Sequence, residues 1–297
     1  MGREPRLARR FFDRFEPVHA VTYFAPEARA AFDALGYRGF WMSYFAARSA
    51  PLGMVPPQVV TAIFYNFAPE RVAEALPAAW QIAGPEPALR ARRESAVAAL
   101  RRYGVEDDEN IRVAAELAGK AARGAPLDGR PLFAANLALP WPDDRVAALW
   151  HATTLLREQR GDAHVALLAA AGVSGRESNV LHAAARRVTR EFLARGRDYD
   201  EASWRHHEQR LAERGLLDDD GSLTAAGWEL KDHIETTTDA LALSALDALS
   251  DDEVEALFRA LTPITRAVVA GGDVPAVTPM GLGRDELHNG SAHLIES

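Results

Sequence analysis

The chain has 297 residues, of which 48% are hydrophobic and 26% charged, and it contains no cysteine. This length is sufficient for two domains with separate cores. The absence of cysteine excludes disulfides, thiolate nucleophiles, iron–sulfur clusters and cysteine-based zinc sites. The net charge of −8 is unevenly distributed, because residues 1–140 carry 18 Lys and Arg against 15 Asp and Glu, whereas residues 141–297 carry 16 against 27.

The N-terminus and the hydropathy pattern predict a protein that is neither secreted nor inserted in a membrane. Residues 1–21 have positive charges but no apolar run after them, unlike a secretory signal. No uninterrupted apolar run reaches the roughly 18 residues that a membrane-spanning helix needs. We therefore expect a cytoplasmic protein without a membrane partner.

The first half is predicted to be helical, because Ala, Leu, Arg and Glu dominate and prolines stand where helices begin. Glu16 and Pro17 are expected to interrupt an amphipathic start at residues 5–15. Further helices are predicted to begin at Pro26, Arg38, Pro69, Pro85 and Glu106. The apolar segment 58–64 fits either a helix or a strand, and the loop-rich stretch 124–144 marks the boundary between the halves.

The second half is predicted to consist of helices separated by short turns. The helices cover approximately 143–160, 162–171, 174–195, 200–214, 224–248 and 253–261. The side chains expected to cap helix starts are Asp162, Ser174, Thr224 and Ser250. Between the fourth and fifth of these helices, a compact hairpin is predicted with Asp220 and Gly221 at its turn. Residues 271–297 are rich in Gly and Pro and are expected to be irregular.

The stretch 204–238 combines a helix, a short hairpin and a long helix. Trp204, RLAERGLL, LTAAG and IETTTDALA, in this order, resemble the MarR-type winged helix-turn-helix. The whole chain is also similar to an actinobacterial family described as helix-turn-helix-like, through PVHAVTYFAPEAR, GFWMSYFAAR, APLG, FYNFAPE and RGDAHVALLAAAG.

These resemblances imply a mainly α fold, with a multi-helical first half and a winged helix-turn-helix that has a small β-hairpin wing in the second half. The expected domains are a helical, aromatic-rich ligand-binding domain at 1–140 and a winged-helix-like domain at 141–270. An irregular tail at 271–297 would complete the chain.

In MarR-type regulators, the helix before the RGLL step lies in the major groove of DNA. On this resemblance, the positions that face bases or phosphates are Ser203, Arg205, His206 and Gln209. The wing departs from the family, because residues 218–220 are three aspartates where an arginine normally enters the minor groove. DNA is therefore the partner that the resemblance implies, and the acidic charge of this half disfavours it.

Aromatic side chains concentrate in the first half beside a few polar groups, a pattern typical of a small-molecule pocket. The candidate ligand-binding residues are His19, Tyr23, Trp41, Tyr44, Phe45, Tyr65 and Asn66. The alternative is an ordinary core in which His19 and Tyr23 are hydrogen-bonded. The predicted ligand is a small apolar or aromatic molecule, and the sequence identifies no cofactor.

No catalytic or metal site is predicted. The chain lacks the G-x-S-x-G, P-loop and G-x-G-x-x-G motifs. His151 and His164 match no metal-ligand spacing, so structural roles are favoured for them. The basic cluster of Arg90, Arg92, Arg93, Arg101 and Arg102 is interpreted as a solvated helix face.

Three functional interpretations stay open. The first, which is the preferred interpretation, is a ligand-responsive transcriptional regulator or a derivative of one, in which a small molecule changes the spacing of paired winged helices; this implies a homodimer. The second is a small-molecule-binding protein or enzyme that does not bind DNA and uses the winged helix for packing or dimerisation. The third is a structural interaction module. The acidic second half and the three wing aspartates favour the second interpretation.

Overall fold

The computed structural model describes residues 2–185, 188–276, 282–284 and 286–293. Over these residues it contains fourteen α-helices and two short 3₁₀ helices, at Ala50–Leu52 and Ser244–Leu246. The α-helices are α1 (Pro5–Phe24), α2 (Pro26–Ala34), α3 (Gly39–Ser49), α4 (Pro57–Phe64), α5 (Pro69–Ile82), α6 (Pro85–Arg102), α7 (Glu109–Gly124), α8 (Pro131–Leu137), α9 (Arg145–Ala170), α10 (Gly175–Ala184), α11 (Arg190–Arg197), α12 (Glu201–Glu213), α13 (Ala225–Leu243) and α14 (Asp251–Ala270). The predicted mainly α fold is confirmed.

Most helix starts follow directly from local sequence. Proline occupies the first position of six helices, where its fixed φ suits the helix and its missing N–H has no helical partner. Ser174 and Ser250 each form a capping box with the glutamate three residues later. Thr224 Oγ1 accepts a hydrogen bond from the backbone N–H of Gly227 at 3.0 Å. The capping residues predicted at 174, 224 and 250 are therefore confirmed.

The predicted interruption of the first helix is wrong, because α1 continues through Pro17. A proline inside a helix costs roughly 3 kcal/mol, since it removes a hydrogen bond and crowds the preceding turn. Phe15 and Val18 on either side of it are buried in the main core. Burying side chains of this size stabilises a fold by roughly 1.5–3 kcal/mol each, enough to offset the proline.

The predicted turn at residues 160–162 is also wrong, because α9 runs through it without a break. The Asp162 carboxylate instead accepts hydrogen bonds from the backbone N–H groups of Leu132 and Phe133, at 2.9 Å each. It thus satisfies the first turn of α8, a segment about thirty residues earlier in the chain. A capping partner so distant cannot be identified from local spacing.

The single helix predicted from Ser174 to about Arg195 is in fact divided. α10 ends at Ala184, and α11 begins at Arg190 after the cap Thr189. α11 ends at Arg197, and the next residue, Asp198, has a φ of 62° in the left-handed region that turns the chain sharply. Only residues 198–200 separate α11 from α12, so the two form a helix–turn–helix arrangement.

The connection between α12 and α13 is a tight turn with one antiparallel bridge, between Leu217 and Leu223. The N–H of Asp218 donates to the carbonyl of Ser222 at 2.9 Å, and Gly221 supplies the positive φ of 78° at the turn. This bridge is the extent of β structure in the part of the chain that the structure describes. A wing made of paired strands is therefore not formed here.

Two main bodies of buried side chains meet along α9. The larger core unites α1, α6, α7, the first part of α9 and α14, with Leu149 and Leu155 contributed by α9. A second core, within residues 168–234, includes Leu168 from the end of α9 and Trp204 from α12. α1 packs against α9, α13 and α14, so helices from both halves of the sequence build the larger core.

Candidate functional site

A cluster of aromatic rings lies between α3, α4 and the segment before α5. The ring centroid of Phe67 is 5.0 Å from that of Phe45 and 5.4 Å from that of Tyr44. Trp41 closes the cluster at 5.7 Å from Phe67. Phe45 and Phe64 are buried, whereas Tyr44 is partly exposed. These edge and offset contacts fix one rigid aromatic wall.

A chain of four buried charges borders this wall. Arg48 donates to both carboxylate oxygens of Glu158, at 3.1 and 3.0 Å. Glu158 also accepts from Arg157 at 2.9 Å, and Arg157 donates to Glu16 at 3.0 Å. Burial opposes the ionisation of Glu158, but the Arg157 and Arg48 cations outweigh it and hold the pKa of Glu158 well below its usual range. Glu158 therefore remains ionised inside the protein, whereas burial raises the pKa of Glu16 at the end of the chain.

His19 and Tyr23 belong to a hydrogen-bonded core rather than to an open site. His19 is fully buried, with Nδ1 2.9 Å from Thr154 Oγ1 and Nε2 3.1 Å from Tyr23 Oη. Burial, reinforced by the Arg157 cation, keeps the pKa of His19 well below its ordinary value. The imidazole is therefore neutral at physiological pH.

A cavity of about 220 Å³ opens beside the aromatic wall, between the first-half helices and residues of α9, α10, α11 and α13. Tyr44, Phe64 and Phe67 form its aromatic side. Its cationic side chains are Arg48, Arg157, Arg160, Arg197 and Lys231, and one carboxylate, Glu235, lines it as well. A concave site with an apolar side and a few convergent polar groups is the usual form of a small-molecule site.

The structure separates the seven residues predicted to bind a ligand into two groups. Tyr44, Tyr65 and Asn66 line the cavity. The residues that pack outside its lining are His19, Tyr23, Trp41 and Phe45. Tyr23 and Tyr44 nevertheless touch, with ring centroids 5.0 Å apart, so the hydrogen-bonded core borders the cavity directly.

Tyr65 and Asn66 attach the cavity to the second core. Tyr65 Oη donates to the carbonyl of Val173 at 2.5 Å, and Asn179 Nδ2 donates to the carbonyl of Asn66 at 2.9 Å. At Gly175 the two segments meet backbone to backbone, because a Cβ there would lie 1.9 Å from the carbonyl oxygen of Tyr65. Tyr65 itself has a positive φ of 52°, which aims that carbonyl at α10. The cavity therefore adjoins a close contact between the segment after α4 and the start of α10.

The predicted DNA-facing residues all lie on α12. Arg205, His206 and Gln209 are exposed, and Ser203 is half-buried. Two of the exposed side chains are engaged on their own helix: Arg205 pairs with Glu201 at 2.8 Å, and Gln209 donates to Glu213 at 3.0 Å. The three wing aspartates at 218–220 are exposed close to this helix in sequence.

Other predicted polar residues take structural positions. His164 Nδ1 lies 3.0 Å from Thr238 Oγ1, and burial lowers the pKa of His164 to about 4. His151 packs edge-on against Trp141 at 4.9 Å, so the two histidines have separate partners. The interpretation of the basic cluster as a solvated helix face is wrong for Arg92. This residue is 1% exposed, and its guanidinium lies 5.2 Å from the Trp150 ring.

Sequence reasoning missed several of the polar residues that line the cavity. Arg197 and Asn179 come from α11 and α10, and Lys231 comes from α13. None of them belongs to a motif, and each is separated by more than a hundred residues from the aromatic wall. Only the fold brings them together, so no local signal identifies them.

The chain belongs to a helix-turn-helix family, since the model described as "Helix-turn-helix family" matches residues 8–275. No curated protein and no solved structure matches it. Among the described helices, none has the length and apolar character needed to cross a membrane. The described residues also contain no group of three or more His, Asp or Glu placed to hold a metal ion.

Proposed function

We propose that this protein is a ligand-responsive DNA-binding regulator of the MarR-like winged-helix type. In this proposal α12 is the DNA-reading helix, the turn at 216–224 is a reduced wing, and the cavity beside Tyr44 and Asn66 holds the effector. Family membership supports the DNA-binding element, and the α11–turn–α12 arrangement supports the choice of helix.

The position of the cavity carries the proposal. One side of it is the rigid aromatic wall, and the other includes Asn179 of α10 and Arg197 of α11. A molecule bound there would contact the aromatic wall and α10–α11 at once. It would favour whichever arrangement of α10–α12 gives it the better contacts, which is the requirement for a ligand to shift a conformational equilibrium.

The acidic excess of the second half is not spread evenly, and the part around α12 has a charge compatible with DNA binding. Residues 175–214, which contain α10–α12, carry nine arginines against seven Asp and Glu. Residues 215–270 carry three Lys and Arg against twelve Asp and Glu. The acidic excess of the second half thus belongs to the wing, α13 and α14, whereas the proposed DNA-reading unit is weakly basic.

DNA binding can be tested by fluorescence anisotropy with labelled genomic fragments at low and moderate salt. The doubly substituted variant R205A/Q209A should bind roughly tenfold or more weakly than the wild type, because base and phosphate contacts of this kind are worth roughly 1–3 kcal/mol. Arg112→Ala on α7, also an exposed arginine paired within its own helix, should bind normally. Absence of salt-sensitive binding at low salt would sink the regulator proposal.

The mechanism also proposes a homodimer, since paired DNA-reading helices match two half-sites in the duplex. Light scattering coupled to size-exclusion chromatography measures this directly. A monomer at concentrations where DNA is bound would contradict the paired arrangement, but not DNA binding itself.

A second candidate is a small-molecule-binding protein or enzyme that does not bind DNA. The pairing of Arg205 with Glu201 and the exposed aspartates at 218–220 favour it, because both reduce the attraction of this face for phosphate. The anisotropy experiment separates the two candidates, because this one predicts no DNA binding at any salt concentration.

A further inference from the structure

Among the cationic side chains of the cavity, Arg197 is the one without a carboxylate partner in the described part of the chain. It is the last residue of α11, and its guanidinium carbon lies 3.9 Å from the centroid of the Phe67 ring. Among the residues that the structure describes, no carboxylate lies within 4.0 Å of this guanidinium. Stacking on an aromatic face leaves the N–H groups at the edge of the guanidinium directed sideways, where they can form a fork of hydrogen bonds.

The other arginines around the cavity already have carboxylate partners. Arg48 and Arg157 share Glu158, and Arg157 also holds Glu16. Arg160 pairs with Asp239 at 2.8 Å and lies 3.3 Å from Glu235. Arg71, which flanks Arg197 from α5, pairs with Asp198 at 3.0 Å. Within the described residues, the positive charge of Arg197 therefore has no carboxylate paired with it.

The electrostatic surroundings of Arg197 favour an added negative charge. Burial lowers its pKa to about 10, and the Arg48 and Arg71 cations act in the same direction. A cation held in a desolvated, positive environment is destabilised unless an anion joins it. An anion at this point would pair with Arg197, while the neighbouring arginines keep their own carboxylate partners.

The cavity also has room and surface for an apolar body next to that anion. Tyr44, Phe64 and Phe67 form one side, and Leu168 and Ile234 add aliphatic surface from α9 and α13. A volume of about 220 Å³ suits a ligand of few non-hydrogen atoms. The combination of aromatic wall and unpaired arginine selects against both a purely apolar molecule and a bare inorganic ion.

We propose that this cavity binds a small organic anion, whose carboxylate or phosphate pairs with Arg197 and whose apolar body lies on the aromatic wall of Tyr44, Phe64 and Phe67. This identifies the chemical class of the effector and rests on the proposed function for its effect on DNA, but not for binding itself. The ligand would tie α11 to the aromatic wall through one side chain. Because only residues 198–200 separate α11 from α12, ligand binding at α11 would change the position of α12.

Isothermal titration calorimetry on the full-length protein tests the site without DNA. The probes are phenylacetate, hexanoate and phenyl phosphate, each compared with an uncharged counterpart: phenylacetamide, hexanamide and benzyl alcohol. At least one anion should bind saturably with a single site, and its neutral counterpart should bind at least roughly tenfold more weakly. A preference for phenyl phosphate over phenylacetate would identify a phosphate ligand, and the reverse a carboxylate.

The decisive variant is Arg197→Met, which keeps an unbranched apolar stem on Phe67 and removes the charge. Binding of the preferred anion should weaken roughly ten- to hundredfold, as expected for losing a charged hydrogen-bonding partner. Arg190→Met, on the same helix but paired outside with Glu201, should bind as the wild type does. Arg197→Lys keeps the charge without the planar fork and should retain part of the affinity, which makes a folding defect of the methionine variant recognisable.

Three outcomes overturn the anion site: no saturable binding of any of the three anions, equal binding of anion and neutral counterpart, or wild-type affinity in Arg197→Met. An anion that binds through Arg197 but leaves DNA affinity unchanged would instead overturn the ligand-responsive part of the proposed function. The two failures are therefore distinguishable.

Discussion

Arg48 and Glu158 form a bidentate ion pair that joins α3 to α9 inside the protein, with nitrogen–oxygen distances of 3.1 and 3.0 Å. The Glu158 side chain is 1% exposed and that of Arg48 is 11% exposed. Since Glu158 also neutralises Arg157, one carboxylate serves two buried cations. This carboxylate holds the aromatic wall against the long central helix.

Replacing Glu158 by glutamine should therefore destabilise the protein by roughly 3–5 kcal/mol, because two buried guanidinium groups lose their shared counter-ion. Urea denaturation followed by circular dichroism measures this change. Glu86→Gln is the matched control, since Glu86 pairs with Arg90 on an exposed surface and its loss should leave the midpoint unchanged. Equal midpoints for the wild type and Glu158→Gln would contradict the assignment of the ion chain as a structural element.

Gly175→Ala should destabilise the contact between the start of α10 and the segment after α4. The added Cβ would lie 1.9 Å from the carbonyl oxygen of Tyr65, so the backbone must move apart at a cost of roughly 1–3 kcal/mol. Gly196→Ala in α11 is a control that should stabilise the protein instead. The added Cβ meets nothing within 4 Å, and alanine favours the helix by roughly 0.5–1 kcal/mol. Thermal denaturation midpoints of the two variants should lie on opposite sides of the wild type, and midpoints on the same side would contradict the close approach.

Asp162 should make stability depend on pH near neutrality. Burial raises its pKa to about 7, against an ordinary value of 3.8. The folded state then retains a proton that the unfolded state has released. The contribution of Asp162 to the free energy of unfolding is therefore fully present below pH 3.8 and is lost as pH rises towards 7. Relative to Asp162→Asn, the wild type should lose roughly 1–3 kcal/mol of unfolding free energy between about pH 5 and pH 8. Parallel pH profiles for the two proteins would show that Asp162 ionises normally when folded.

Asp219→Arg should strengthen DNA binding if residues 216–224 act as a reduced wing. The change replaces a phosphate-repelling charge with an attracting one, so affinity should rise and the slope of log affinity against log salt should steepen by roughly 1–2. Asp252→Arg makes the same charge change at an exposed position at the start of α14 and separates a local effect from the net charge. Identical slopes for the two variants would remove the wing from the DNA interface.

Much of the helical layout was predictable because its signals are local. The prolines at helix starts, the capping boxes at Ser174 and Ser250, and the cap at Thr224 each act within three residues of their position. The errors arose where distant contacts override local signals. Pro17 remains helical because a core surrounds it, and Asp162 caps a helix about thirty residues away.

The candidate site was predictable only in part for the same reason. Of the residues that aromatic clustering singled out, Tyr44, Tyr65 and Asn66 line one cavity, and their role in binding a ligand stays a prediction. The sequence could not indicate that His19 turns inward to Thr154, or that Arg197 turns towards Phe67. The domain boundaries near residues 140 and 270, the DNA contacts and the ligand stay predictions.

The unbroken course of α9 has a consequence for how the protein unfolds. Its 26 residues extend over roughly 39 Å, with Leu149 in the larger core and Leu168 in the second. Neither core can lose its packing without releasing one end of the helix that the other depends on. We therefore expect one cooperative melting transition, with equal calorimetric and van't Hoff enthalpies, despite a chain long enough for two independent units. Because α9 contributes to both cores, a substitution that destabilises one core should also lower the stability of the other.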